Sequence, residues 1–274
     1  MKKNVYVILI LPCVLLLLGV LYYPLTTVLA PTFSGEGFFL SRYIPFFADP
    51  YYRVILVRTL KIACLATLIC TVLGVPTAYF ISRRSPGLKS FLMVLSIFPL
   101  LINPVIRSFA WINILGKNGV VNALLLKAGI LTEPLTLLYT EFSILMGTIY
   151  LFLPLMLITL VGSMDNIEDD ISEAALSLGA SRVAAFFKVV LPLSLPGILV
   201  GAVLVFTGSI TAYTTPNLLG GNKNMLLATF IYQRAMSLSD WTGAGVIALI
   251  MILLTFIAVN IMQTLARRLD RRLA

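Results

Sequence analysis

Six long apolar runs, separated by short polar segments, constrain this chain more than any other feature. They lie at about residues 5–29, 54–81, from 91 onward, 137–162, 193–213 and 243–265. A helix needs roughly 20 predominantly apolar residues to cross a ~30 Å hydrocarbon core. Only structures that satisfy their own backbone hydrogen bonds survive there. Composition agrees: 59% of the 274 residues are hydrophobic and 11% are charged, against roughly 45–50% and 25% in soluble domains. The expected fold class is all-α, a polytopic membrane protein with six transmembrane helices.

The first run has two readings. Lys2 and Lys3 before it, and Val28-Leu29-Ala30 at its end, fit a secretory signal with a small-residue cleavage site. Its apolar length exceeds the roughly 7–15 residues of a signal core, which favours an uncleaved span. Residues 30–53 are rich in Pro, Gly and aromatics and are expected to fold as an external loop. In the second run Arg58 and Lys61 sit three residues apart, hence on one helical face. Gly74 and Pro76 are tolerated there, because neighbouring groups in a membrane bundle satisfy a freed carbonyl. Asn103-Pro104 and Arg107 interrupt the third run, which is expected to end or kink there. A second external segment, 113–138, carries a short amphipathic pattern at 118–128. A third, 214–241, contains a short helical pattern at 224–236. The expected organisation is an N-terminal helix and external loop (1–53), a core of five spans (54–265) with a polar loop at 163–190, and a basic tail (266–274).

Six crossings put both termini on one side. That side holds Lys2, Lys3, Arg83, Arg84, Lys89, Arg182, Lys188 and the four arginines of the tail, which is 11 of the 20 basic residues, in short segments. Lys and Arg accumulate on cytoplasmic flanks, so both termini and the 163–190 loop are expected inside the cell. The formal charge of +9 does not indicate a nucleic-acid partner, because the basic residues flank apolar spans instead of forming a stripe. Cys13, Cys64 and Cys70 all fall inside apolar runs and make neither a disulfide framework nor a metal pattern. The chain has no histidine, which removes His-based acid–base chemistry and most metal sites.

The polar loop is the one place where charge, helix punctuation and small residues gather. Asp165, Glu168, Asp169, Asp170 and Glu173 supply five acids within nine residues. Asp165 or Asn166 can cap a helix whose positive end the following acids favour. Ile171, Ala174, Ala175 and Leu178 fall at helical spacing and make one apolar edge. Gly179 stands where that helix must stop, suited to a left-handed residue just past its end. Ser181 can cap a second helix over 182–190. Ala174 and Ala175 allow another surface to approach closely, and Glu173 offers it a charge. The plainer reading is a solvated amphipathic loop with no partner.

Spacing decides between them. Glu173-Ala174-Ala175, three residues, Gly179, nine residues, Val189, one residue and Leu191-Pro192 resembles the EAA signature of permease subunits of bacterial ABC importers, with Val189 where that family has Ile. Arg58-Thr59-Leu60, Thr67, the 74–79 stretch and Arg83 are similar to the start of that permease domain. The 105–111 and 116–119 stretches and Pro216-Asn217-Leu218-Leu219-Gly220-Gly221 resemble its spermidine/putrescine-type branch. The resemblance implies a type I importer fold in the bacterial inner membrane. It implies pairing with a second permease, as a homomer or, as the polyamine-like branch suggests, as a heteromer with a homologue, an ABC ATPase dimer docked beneath, and a solute-binding protein outside. ATP and Mg would be bound by the ATPase, and no cofactor by this chain. Asp169, Glu173, Ala174, Ala175 and Gly179 would contact the ATPase, with 169–177 as the coupling helix. The solute implied is a polyamine or a similar cationic or zwitterionic compound.

The chain has no GxxxxGK[ST] loop, so it does not bind ATP by that route; it is expected to be a transport subunit and not an enzyme. Arg58, Lys61, Arg107 and Glu141 are ionisable residues in or near spans, where such groups pair or line a wet path. Either Glu141 pairs with Arg107 or Lys61 near an external gate, or all four snorkel to the interface. Ser209, Thr211, Tyr213, Thr214 and Thr215 gather at the outer end of the fifth run. They line a translocation path together with Arg107 and Glu141, or they serve helix packing. A self-sufficient secondary transporter would show paired broken helices and buried coupling-ion residues, which the sequence lacks. An intramembrane enzyme would need a nucleophile–base pair or a metal cluster, and neither is present.

Overall fold

The computed structural model describes residues 2–34 and 41–270. Among them every regular element is helical. The first are α1 (Lys2–Phe33), α2 (Ile44–Ala48) and α3 (Pro50–Ser82). The span expected at 5–29 thus extends to Phe33, and the loop expected at 30–53 is partly helical. α3 opens on a proline, whose missing N–H is no loss at that position, and Asp49 accepts a bond from the Tyr51 N–H at 2.8 Å.

The third apolar run forms two helices, α4 (Pro86–Leu101) and α5 (Pro104–Leu115). Proline at the first position of α5 stops α4, and the Asn103 side chain accepts from the Val105 N–H at 2.9 Å. The short pattern at 118–128 is α6 (Val120–Lys127). By length and composition, the 24 residues of Pro104–Lys127 qualify as a span, whereas α4 has 16 residues. The third crossing was expected to begin near 91, with 113–138 outside. That 104–127 stretch is itself two helices, of 12 and 8 residues, joined by a turn at 116–119.

α7 (Glu141–Asp165) starts in a capping box between Thr140 and Ser143. The polar loop follows as α8 (Asp169–Ser177), α9 (Arg182–Ala185), one wide π-helical turn at Phe186–Val190, and α10 (Leu191–Leu193). α11 (Leu195–Thr211) leaves this segment at a 66° bend, just past Pro192. The stretch expected as external loop holds α12 (Thr214–Gly220), α13 (Leu227–Tyr232) and a second π turn at Gln233–Ser237. α14 (Trp241–Asp270) ends the described chain. Among the described residues, five helical stretches are long and apolar enough to cross a membrane, and six if the bent pair 182–193 and 195–211 is one span.

Packing groups the chain into two units that are discontinuous in sequence. One comprises 1–54 with 230–252, the other 55–229 with 253–274. In the first unit Tyr52 stacks on Phe46 (centroids 5.4 Å apart) and meets Phe230 at 5.3 Å. The Arg234 guanidinium lies 5.4 Å from the Tyr52 ring centre and 2.8 Å from the Asp240 carboxylate. Thr32 and Tyr43 share a buried hydroxyl bond of 2.6 Å. Most of the apolar side chains of α1 from Leu11 onward are exposed, as suits a helix that meets lipid or another subunit.

The second unit is built around α7. Its apolar residues face every direction, as a helix enclosed by neighbours requires. Met156, Leu160 and Phe152 are buried against small residues of α3 (Ala66, Cys70, Ala78) and against Ala202 and Val205 of α11. Large side chains on α7 therefore fill the space left by small ones on its neighbours. A Cβ on Gly197 would collide with Ser163, and one on Gly201 with Met156 and Thr159. The Gly197-Ile198-Leu199-Val200-Gly201 spacing lets the α11 backbone approach α7 closely, the way small residues four apart hold membrane helices together.

Candidate functional site

Three groups of residues stand out, all in the second unit. The first is the polar loop. Asp165 does not cap α8: it is the last residue of α7 and forms an ion pair with Lys89. Asn166 caps the α7 C-terminus, its amide donating to the Gly162 carbonyl at 3.0 Å. The cap position of α8 is Glu168, with no side-chain bond. α7 runs through Asp165, and a turn over 165–166 follows, closed by the Ile167 N–H on the Met164 carbonyl at 3.2 Å, with Ile167 itself buried to 7% exposure.

The end of α8 is as the sequence predicts. Gly179 has φ +89°, its N–H donates to the Leu176 carbonyl at 2.9 Å, and the Ala180 N–H donates to Ala175 at 3.1 Å. This pair of bonds is the Schellman closure, which needs the left-handed residue that glycine supplies. Ser181 then caps α9 by accepting from the Ala184 N–H at 3.2 Å. Phe186 is held against Tyr79 of α3, centroids 4.9 Å apart. The loop is therefore rigid at its bends and open on its surface. Glu173, Ala174 and Gly179 are exposed, Ala175 is half-buried, and Asp169 opens the helix. Leu178 is 89% exposed beside Ile171 at 41% and Leu176 at 38%. Exposed aliphatic side chains among acids therefore form the outward surface of this helix.

The second group is Glu141, Arg58 and Lys61. Glu141 opens α7 and accepts from Arg58 Nε at 3.0 Å and from Lys61 Nζ at 2.8 Å. Arg58 also donates to the carbonyls of Lys223 and Met225, both at 3.3 Å, and the Leu227 N–H donates to the Thr59 hydroxyl at 2.9 Å. The cluster ties α3, the start of α7 and the 223–227 segment together. Pairing of Glu141 with Lys61 is borne out; pairing with Arg107 is not. Arg58, which the sequence reading left outside the pair, takes that place because it shares a face with Lys61 one turn away.

The third group surrounds a cavity of about 290 Å³ lined by α5, α7, α11 and α12 residues, with Leu100 of α4. Arg107, Thr211, Tyr213, Thr214 and Thr215 all reach it. Leu151 and Phe152, which also line it, stand midway along α7, so the cavity sits level with the middle of that helix. Ser209 does not reach it: it is 1% exposed and its hydroxyl donates to the Val205 carbonyl at 2.6 Å, a packing role. Glu141 also lies elsewhere, in the cluster with Arg58. Arg107 is 4% exposed; its Nη1 donates to the Pro99 carbonyl at 3.1 Å, while its Nε is buried without a partner. The Thr215 hydroxyl is likewise buried and unmet. Each such group is expected to cost about 1–3 kcal/mol, and more when charged.

Comparison with known proteins follows from this geometry. The family model described as "Binding-protein-dependent transport system inner membrane component" matches residues 70–273. The chain belongs to that family. It is a permease subunit of an ABC importer, a multi-pass protein of the inner membrane. It is 33% identical over 193 residues to the spermidine/putrescine transport system permease protein PotB of Escherichia coli K12, covering 70% of each chain. It is 30% identical over 259 residues to the protein of the same name from Haemophilus influenzae, covering 90% of each. Its fold matches a bacterial alginate ABC transporter crystallised with an alginate pentasaccharide-bound periplasmic protein. That match has a TM-score of 0.83, covers 98% of this chain and 96% of that one, and is 18% identical. The permease has the all-α polytopic architecture expected of it.

Proposed function

We propose that this permease carries a polyamine or a similar small cationic or zwitterionic solute, delivered by a solute-binding protein outside the membrane. A separate ATPase dimer that binds ATP and Mg drives it by docking on α8, and a second, homologous permease completes the pore. Both termini face the cytoplasm. The solute class is supported by the printed function of the PotB relatives, and a binding protein and partner subunits by the family.

The observation that carries the docking site is the exposed helix Asp169–Ser177, closed by Gly179 and set between α7 and α11. Glu173 provides a charge to the ATPase, Ala174 and Ala175 let its surface come close, and Gly179 fixes the exit of the chain. Closure of the ATPase on ATP moves α8, and the motion passes through the π turn and α10 into α11, rocking the pore between inward- and outward-facing states. Arg107, Thr211 and Tyr213 belong to the solute path, whereas Glu141 and Ser209 hold the scaffold.

Purification of the tagged permease from mild detergent tests this. An ATPase and a second permease are expected to co-purify with the wild type, and Glu173→Arg is expected to lose the ATPase while keeping the permease partner. A chain that purifies alone and moves solute into liposomes without ATP would overturn the proposal in favour of a self-sufficient transporter.

A further inference from the structure

A buried guanidinium at mid-helix depth is tolerated when a counter-charge or a polar ligand meets it. Arg107 has one nitrogen on the Pro99 carbonyl and an Nε edge with nothing on it. No carboxylate lines the cavity it reaches. The acid nearest in prospect, Glu141, is already held by Arg58 and Lys61. Thr215, 2% exposed, brings a second unmet donor to the same cavity. Leu100, Leu151 and Phe152 supply apolar wall beside Thr211, Tyr213 and Thr214, and apolar surroundings raise the strength of a charge interaction.

A guanidinium and a hydroxyl lining one partly apolar cavity match a planar carboxylate. The guanidinium repels an ammonium group. A volume of about 290 Å³ is near the lower bound of ~300 Å³ for small-molecule sites. We propose that this cavity binds the carboxylate of the transported solute through Arg107 and Thr215, so that the permease passes amino-acid-like zwitterions and discriminates against simple polyamines. The proposal rests on the importer reading and narrows its solute class.

The test compares two probes of equal carbon count, 4-aminobutyrate and putrescine, in which the carboxylate of the first is replaced by a protonated aminomethyl group in the second. Binding of each radiolabelled probe is measured on the assembled transporter in nanodiscs, without its binding protein, for wild type, Arg107→Gln and Thr215→Val. Thr215→Val keeps the methyl group that faces Gly147 and removes only the hydroxyl. The wild type is expected to bind 4-aminobutyrate at least tenfold more tightly than putrescine. Arg107→Gln should weaken 4-aminobutyrate roughly tenfold or more, the scale of one charge-assisted hydrogen bond, with putrescine unchanged or improved. Thr215→Val should weaken 4-aminobutyrate severalfold. Equal or tighter binding of putrescine, no binding of 4-aminobutyrate, or a preference that survives Arg107→Gln overturns the proposal. So does loss of the second permease from Arg107→Gln, which would assign Arg107 to a carboxylate of that subunit. A transporter that hydrolyses ATP and takes up solute but lacks the preference refutes the carboxylate site alone; failure of the ATPase to co-purify refutes the importer arrangement itself.

Discussion

At the scale of single residues, the chain spends its few charges in pairs whose members come from distant parts of the sequence. Glu141 joins Arg58, whose side chain is 15% exposed, and Lys61, at 57%. Removing the acid strips both cations of their partner at once. Glu141→Gln is therefore expected to destabilise by roughly 1–2 kcal/mol, lowering the melting temperature in detergent by about 2–6 °C. Arg58→Gln should follow at a smaller loss, and Lys61→Gln should be nearly silent, because water already solvates it. Thermal unfolding of the three variants checks the order. Asp240 makes a different case. The Gly243 N–H holds its carboxyl below the usual range, helped by the Arg234 guanidinium and opposed by partial burial. A depressed folded value contributes stability above the unfolded value of ~3.9 and loses it as pH falls through the folded one. Wild type and Asp240→Asn should thus differ in melting temperature near pH 7 and converge below about pH 4. A gap that persists in acid would show that charge is not the cause. Neither pair could be read with certainty from sequence. Arg58 and Lys61 share a face, but the sequence offered Arg107 or Lys61 as the partner of Glu141, and the fold gave it Lys61 together with Arg58.

At the scale of elements, what was legible depended on whether the signal was local. Asn103-Pro104 stopped α4 and capped α5 as its chemistry demands, and Gly179 closed α8 in the left-handed conformation. The start of α8 was misread: Asp165 and Asn166 have capping chemistry, but they end α7, and Glu168 takes the cap position without a side-chain bond. The close approach of α11 to α7 went unread although its signal, Gly197 and Gly201 four residues apart, was present. A single added methyl tests it. At Gly197 the new Cβ meets the Cβ of Ser163, which has no rotamer by which to withdraw; at Gly201 it meets the flexible Met156 end and the Thr159 hydroxyl. Gly197→Ala should cost about 1–3 kcal/mol of overpacking and Gly201→Ala less. Equal melting temperatures for both variants and wild type would show that the helices separate freely there.

At the scale of the whole molecule, apolar run length and the EAA spacing were enough to reach both the all-α membrane architecture and the family. The cavity was not legible as a unit. Arg107, Phe152 and Thr215 belong to α5, α7 and α12, and nothing in their spacing says they meet. Orientation, argued from the basic flanks, predicts that green fluorescent protein fused after Ala274 fluoresces and that a cysteine placed at the exposed Lys223 reacts with a membrane-impermeant maleimide from outside. A dark fusion with a protected cysteine would invert the topology. The π turn at Phe186–Val190 has a consequence of another kind. A π turn holds one residue more than an α turn would, and each α-helical residue advances the chain by about 100° and 1.5 Å. Shortening this stretch by one residue would reset the phase between α9 and α10, turning the docking surface to a different point of the compass while every side chain on it remained in place. The stretch thus acts as a spacer whose meaning lies in its residue count, and a length change there is a rewiring where a substitution is only a change of trim.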